Sequence, residues 1–402
     1  MTELRASTTR RRFLQGAGAL ALAGVPTAVR AQAPPITLGV LTPLTGAGGA
    51  DGPRMDRAMK AVFAEVNGAG GVLGRKVETV LEDDQTNPEA AVRAARKLID
   101  VNKVPAILGT WASAVTTAVA PLCWESKTFL CTTSGADSIT LLPHQGYLIR
   151  TQPNNHLQAA RHAEFIASTG AKRVFVMSIQ APFSQPTQDR VKDVLPKHGS
   201  TMVGGLIYDK DKTTYRSEVD QALRTKPDMI YLNGYAPDVT VVARELFRAG
   251  YEGGRFTQSY VMTQKVIDSL PPEVTEGMYI VQPSADVHSP AYELVKKRLS
   301  LEAPDSYECA ATDWASLVVL AMAKAREASG TAMRDNVRKI SQGPGTKVPS
   351  AVEGLKLLAQ GKEINYEGAS GPCEFNEIGD ILDCRFRYSR IVKGKITFLK
   401  VL

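Results

Sequence analysis

The chain alternates two kinds of segment, and it does so twice. Apolar runs of strand length are each followed by a loop and then by a stretch with apolar residues at helical spacing. Residues 36–41 form the first such run and 55–66 the first helix, ending at Asn67-Gly68; 77–81 is the next strand. Asn87-Pro88 opens a helix through residue 99, with Pro in its first turn. A strand at 105–108, a helix at 113–121 and a strand at 128–132 follow. The rhythm resumes at 174–178, with a helix after Gln185, a strand at 201–208, a helix at 215–225, a strand at 229–232, a helix at 238–249 and strands at 256–259 and 278–281. Strands separated by helices pair in parallel and are covered on both faces, so the spacing predicts an α/β fold with two lobes of one kind. Two long helical stretches at 291–301 and 307–328 then precede an extended, hairpin-rich tail from 364 to 401. Such a tail completes sheets already begun, which makes both lobes discontinuous. No low-complexity linker separates them, so short hinge crossings are expected.

The amino terminus reads as an address. Thr9-Arg10-Arg11-Arg12-Phe13-Leu14-Gln15 precedes a Gly/Ala/Leu run over 16–24 that is too short and Gly-rich to span a bilayer. This is the pattern of a twin-arginine export signal. Val29-Arg30-Ala31 offers small residues for a signal peptidase, and Pro34 disfavours cleavage after Ala33, which places the cut after Ala31. Removing 31 of 402 residues leaves 371, long enough for two cores and without a later apolar run of about 20 residues. The signal holds five Arg against one Glu, so the formal charge of +7 falls to +3 in the mature chain. That mild excess is scattered in pairs such as Lys172-Arg173, without basic clusters interleaved with aromatics. Nucleic acid is excluded as a partner on these grounds.

Export places the five cysteines where disulfides persist. The segment from Pro372 to Cys384 alternates on both sides of Gly379-Asp380, and a hairpin with a four-residue loop sets Cys373 opposite Cys384, predicting that bridge. Pairing of Cys123 with Cys131 stays open, because a helix-to-strand approach that close is geometrically demanding. Cys309 is then the odd thiol. None of the five sits in a nucleophile signature.

Several chemistries lack their residues. The five histidines show neither an i,i+4 pair nor H-E-x-x-H, so no metal site is expected, and no G-x-S-x-G turn marks a hydrolase. The Gly-rich loop at 46–52 superficially matches a dinucleotide fingerprint. Thr42 to Thr45 intervene between strand and glycine, however, and Glu82-Asp83-Asp84 comes too late for the ribose. No cofactor is expected. Two neighbouring strand ends are richer. Gly109-Thr110-Trp111-Ala112-Ser113 leads into a helix that Ser113 caps or nearly caps, where free N–H groups and the dipole favour an anion. Thr132-Thr133-Ser134-Gly135 adds hydroxyl and backbone donors at the same sheet edge.

With these features in order, the chain resembles the periplasmic solute-binding proteins of branched-chain amino-acid ABC importers. The resemblance runs through Leu44-Thr45-Gly46, the stretch from Glu65 to Lys76, Glu82-Asp83-Asp84-Gln85, Ile107-Leu108-Gly109, Asn233-Gly234-Tyr235, Glu276-Gly277-Met278 and Gly371 to Gly379. It implies two Rossmann-like lobes joined by three crossings, lobe 1 from 36–151 and 285–385, lobe 2 from 152–284 and 386–402. It also implies a monomer that closes on a small carboxylate and delivers it to membrane permease subunits driven by cytoplasmic ATPases.

Carried over residue by residue, the family's carboxylate site falls on Trp111, Ala112 and Ser113, with further first-lobe contacts at Thr133, Ser134 and Gly135. Second-lobe aromatic positions fall on Phe183 and Tyr235. The acidic residue that pairs with an amino acid's ammonium falls on Tyr260, a departure that disfavours a plain α-amino acid, since a buried ammonium without a carboxylate is costly. Asp51, where the family has an aromatic residue, offers a compensating carboxylate. Trp111, Phe183, Tyr235 and Tyr260 together suit a planar or aromatic acid. A ligand sensor acting on a membrane-bound regulator and an exported α/β enzyme are the alternatives.

Overall fold

A computed structural model describes residues 33–284 and 286–402, and the export signal expected at 1–31 lies outside them. Two separate sheets carry the alternation. The first consists of β1 (Ile36–Thr42), β2 (Val77–Asp83), β3 (Ala106–Gly109), β4 (Phe129–Thr132) and β5 (Leu148–Arg150), all parallel, in the order β2-β1-β3-β4-β5. Its connections are α1 (Gly52–Gly68), α2 (Pro88–Arg96), which runs on as a π turn over Lys97–Val101, and α3 (Ser113–Glu125). Every residue of β3 and β4 is buried, as expected of strands covered on both faces.

The chain then passes through α4 (Asn155–Ser168) into β6 (Arg173–Ile179), α5 (Ser184–Val194), β7 (Thr201–Tyr208), α6 (Arg216–Arg224), β8 (Met229–Asn233), α7 (Ala236–Arg248) and β9 (Gly254–Gln258). Two short helices, α8 (Gln264–Asp268) and α9 (Pro272–Thr275), lead to β10 (Tyr279–Ser284). Next come α10 (Pro290–Leu299), α11 (Ser306–Ala325), α12 (Gly330–Ser341), β11 (Thr346–Val348), α13 (Ala351–Ala359) and β12 (Ile364–Tyr366), the two strands pairing only with each other. Finally β13 (Arg385–Val392) and β14 (Lys395–Val401) extend one side of the second sheet as antiparallel strands, with β14 at the edge, in the order β14-β13-β10-β9-β8-β6-β7. The tail thus completes the second sheet, as its extended pattern suggested.

Local capping explains several boundaries. Asn87, Asn154, Ser289, Ser329 and Ser350 each accept from a first-turn N–H of the helix that follows. Asp305 and Glu308 close a reciprocal capping box on α11. From Cys309 to Met322 every residue of α11 is buried, so the helix is a central core rod that needs no polar face.

Differences from the sequence-based expectations have identifiable causes. α3 continues through Pro121 to Glu125, because burial of Val119, Ala120 and Cys123 outweighs one missing N–H. β5, α4, α12 and α13 were not expected at all; β5 is only three residues long and α4 has a weak apolar stripe. The expected Cys373–Cys384 bridge is not formed, and all five cysteines are free thiols. Phe375 pairs with Ile381, Leu382 N donates to Glu374 O, and Asn376 N donates to Asp380 O. That register sets Cys373 opposite Asp383. A slip of one residue from the expected pairing sends the two thiols to opposite faces. No described helix is long and apolar enough to cross a membrane, and no described cluster of His, Cys, Asp and Glu could hold a metal ion.

Candidate ligand-binding site

The carboxyl end of β3 makes an abrupt turn. Gly109 has φ +125°, and a Cβ there would lie 2.2 Å from the carbonyl oxygen of Leu41, so only glycine fits. Thr110 follows at φ +60° and donates its N–H to Leu41 O at 2.7 Å. This turn lifts Trp111 above the sheet and aims α3 at the same edge. Ala112, extended at φ −81° and ψ 134°, is the N-cap, and Ser113 is the first helical residue. No side chain caps α3, so the first-turn N–H groups and the helix dipole face outward as donors. Ser113 Oγ accepts from Ala136 N at 3.2 Å, which leaves its own proton to donate.

The adjoining end of β4 is held by hydroxyl groups. Thr132 Oγ1 donates to Thr110 O at 2.8 Å and accepts from Ser134 N at 3.0 Å, while Ser134 Oγ donates to Trp111 O at 3.0 Å and contacts Thr116 Oγ1. Beneath the loop lies the fully buried guanidinium of Arg150, which donates to the carbonyl oxygens of Ser134 and Ala136, both at 2.8 Å.

Opposite these donors stand the carboxyl ends of β6, β8 and β9. Trp111, Ser113, Thr133 and Gly135 on one side and Phe183, Asn233, Tyr235, Gln258 and Tyr260 on the other line one cavity of about 50 Å³, completed by Asn155 and Gln158 of α4 and Tyr307 of α11. Ring contacts wall it. Trp111 lies 5.2 Å from Tyr235, 5.4 Å from Tyr260 and 6.3 Å from Tyr307, and Phe183 meets Tyr235 edge-on at 5.9 Å. Such pairs contribute about 0.5–1.5 kcal/mol each beyond burial. Burial pushes the phenols of Tyr235, Tyr260 and Tyr307 above their usual range, so all three are neutral hydrogen-bonding groups at pH 7.

Among the described residues, no charged side chain lines this cavity. The hydroxyl of Thr133 and Oε1 of Gln258 are buried without a hydrogen-bond partner in the protein, and the Trp111 indole N–H is directed to the Tyr307 phenol. The first two present hydrogen-bonding groups to whatever fills the cavity.

Seven of the ten residues expected at a ligand site line the cavity. Ala112 instead accepts the first helical hydrogen bond, from Thr116 N at 3.0 Å, and the Ser134 hydroxyl is taken up in the web below the loop. Asp51 is also absent from the lining. It is buried and ion-paired with Arg54, which reaches on to Asp305; burial nonetheless raises the Asp51 carboxyl to about 6. Tyr307, Asn155, Gln158, Asn233 and Gln258 went unnoticed in the sequence. A polar side chain ending an otherwise apolar strand was the available signal for Asn233 and Gln258. Tyr307 gave none, since it is simply the second residue of a core helix.

Comparison with known proteins identifies the family and the fold. Residues 35–377 match the family model described as periplasmic binding protein. The chain is 28% identical, over 84% of its length and 82% of the relative's, to the chemotactic signal transduction system substrate-binding protein BasB of Halobacterium salinarum. Its fold is similar to the leucine-binding protein LivK from Thermotoga maritima (TM-score 0.78, 22% identity, 91% of this chain and 98% of that one). It is also similar to an R. palustris ABC-transporter solute-binding protein solved with 4-hydroxybenzoate (TM-score 0.74, 19% identity, 91% and 96%). The chain belongs to the periplasmic binding protein family, which makes it a ligand-binding protein and not an enzyme.

Proposed function

We propose that this chain is the periplasmic solute receptor of an ABC importer, exported by the twin-arginine route, and that its solute is a small aromatic acid. One observation carries the choice of ligand: the cavity is walled by five aromatic rings and contains no charged side chain. A carboxylate sits against the α3 first-turn N–H groups and the Ser113 hydroxyl, where dipoles balance one negative charge. An α-amino acid would also bury an ammonium where the nearest carboxylate, Asp51 behind Tyr260 and Tyr307, is already paired with Arg54, at a cost of several kcal/mol.

Closure supplies the affinity. The space of about 50 Å³ accommodates a few waters, so an aromatic acid enters only when Trp111 and Tyr235, on different sheets, move apart. Lobe 1 (36–151 and 285–385) and lobe 2 (152–284 and 386–402) then shut on the ring, and the closed monomer presents it to the permease, whose cytoplasmic ATPases drive uptake. Contacts made only in the closed state shift the population toward it.

The test is calorimetric titration of residues 32–402 with benzoate, hydroxybenzoates and leucine. Saturable binding of an aromatic acid, lost by at least about tenfold in Ser113→Ala, supports the proposal. Binding of leucine alone refutes it. A sensory role is favoured by one observation, the likeness to a chemotactic binding protein. Cells lacking this chain that lose taxis toward the ligand while still accumulating it would establish that role instead.

A further inference from the structure

The buried polar atoms that lack a partner differ between the two walls. On the β3–β4 side such a group can donate, the Thr133 O–H, beside the α3 N–H groups. On the β9 side the group without a partner is an acceptor, Oε1 of Gln258.

Gln258 ends β9 and is 8% exposed. Its Nε2 donates to Tyr231 Oη at 2.9 Å and to Asn233 Oδ1 at 3.1 Å. Both partners are fixed from behind. Tyr231 Oη lies 2.9 Å from Nδ1 of the buried His162, and Asn233 Nδ2 donates to Ser178 Oγ at 3.3 Å. Turning the Gln258 amide alone would press two carbonyl oxygens together at 3.1 Å. In this arrangement the amide oxygen is left unused, although a buried amide oxygen ordinarily finds a donor.

We infer that Gln258 is a specificity-determining residue, whose Oε1 accepts a hydrogen bond from a neutral donor, a phenolic O–H or an aryl N–H, on the ring of the bound acid away from its carboxylate. This rests on the proposed aromatic-acid receptor and narrows its ligand to ring-substituted acids carrying a donor. A site built to accept such a bond rejects the unsubstituted analogue, because the buried oxygen then stays unpaired.

The experiment titrates the mature chain with benzoate, 3- and 4-hydroxybenzoate, 4-aminobenzoate and 4-methoxybenzoate, in the wild type and in Gln258→Leu. At least one hydroxy or amino acid should bind about tenfold or more tighter than benzoate, and the methoxy acid, an acceptor without a proton, should gain nothing. In Gln258→Leu the ratio of donor-acid to benzoate affinity should shrink to about twofold, whatever the change common to all five acids. Hydroxyl versus amine is read from which arm wins. Equal binding of all five acids by the wild type, or a gap that persists in the variant, overturns the role of Gln258 and leaves the aromatic-acid receptor standing. Binding of none of them overturns the receptor as well. If the variant fails to fold by circular dichroism, the wild-type series alone decides.

Discussion

Replacing Arg150 by Met should be among the most damaging single changes near the site. The guanidinium is wholly buried. Its Nε and Nη2 reach Asp380 Oδ1 at 2.8 and 2.5 Å, Nη1 holds Ser134 O and Ala136 O at 2.8 Å, and Nη2 also donates to Thr140 Oγ1 at 2.9 Å. Asp380 keeps only neutral donors beyond it, Asn154 Nδ2 at 3.0 Å and Thr140 Oγ1 at 3.2 Å. Breaking a buried pair by removing one partner typically costs about 3–5 kcal/mol, because the remaining charge is stranded in a low dielectric. Methionine fills much of the volume, so packing adds little to that figure. Urea unfolding at pH 7, followed by tryptophan fluorescence, should show a loss of that size. Arg150→Met/Asp380→Leu should recover more than half of it, since the stranded charge is gone. The ligand site should suffer too: Thr133 and Gly135 line the cavity, and Ala136 N donates to Ser113 Oγ. Affinity for the proposed aromatic acid should fall by at least about tenfold under conditions where the variant is folded. A single variant within about 1 kcal/mol of wild type, or a double variant less stable than the single, refutes the electrostatic account.

Three further outcomes follow from the same geometry. Gly48 packs beneath the Trp111 ring, where an added Cβ would lie 2.7 Å from its Cε3; Gly48→Ala should displace the indole, change the near-ultraviolet circular dichroism and weaken ligand binding about tenfold, and an unchanged spectrum with unchanged affinity would argue against it. Asp84 is buried, one of its oxygens lacks a partner, and burial raises its carboxyl from 3.8 to about 7. The folded state then binds its proton more firmly than the unfolded chain, so stability falls as pH rises from about 4 to 7, by a few kcal/mol at most. Asp84→Asn should flatten a substantial part of that slope in urea midpoints taken between pH 4 and 8, the raised Asp51, Glu308 and Asp313 contributing to the remainder; an identical slope in the variant would assign the dependence elsewhere. Because all five cysteines are free thiols, the denatured, unreduced protein should titrate five thiols with a disulfide reagent and its melting temperature should ignore dithiothreitol; three thiols would restore a bridge.

Much of the architecture was legible in the chain. Periodicity is a local property, fixed by which faces neighbouring residues present, so strands and helices on both sides of Trp111 and Tyr235 fall within a few residues of their expected positions. The edge that bears the candidate site was legible for the same reason, since a parallel sheet puts every loop after a strand at one rim. Seven expected site residues line the cavity on that basis. Tertiary structure alone decided the rest. Tyr307, nearly 200 residues beyond Trp111, enters the ring cluster only because α11 packs as a core rod that starts at the rim. Asp51 drops out because Arg54, one helical turn along α1, binds it first. The thiols of Cys373 and Cys384 part company over a single step of register, which hydrogen bonding in the 376–380 turn chooses and alternation does not. Local pattern names which residues can face a cleft. Which of them arrive without a charge or a partner depends on long-range packing, and that sum is completed only when both sheets are in place.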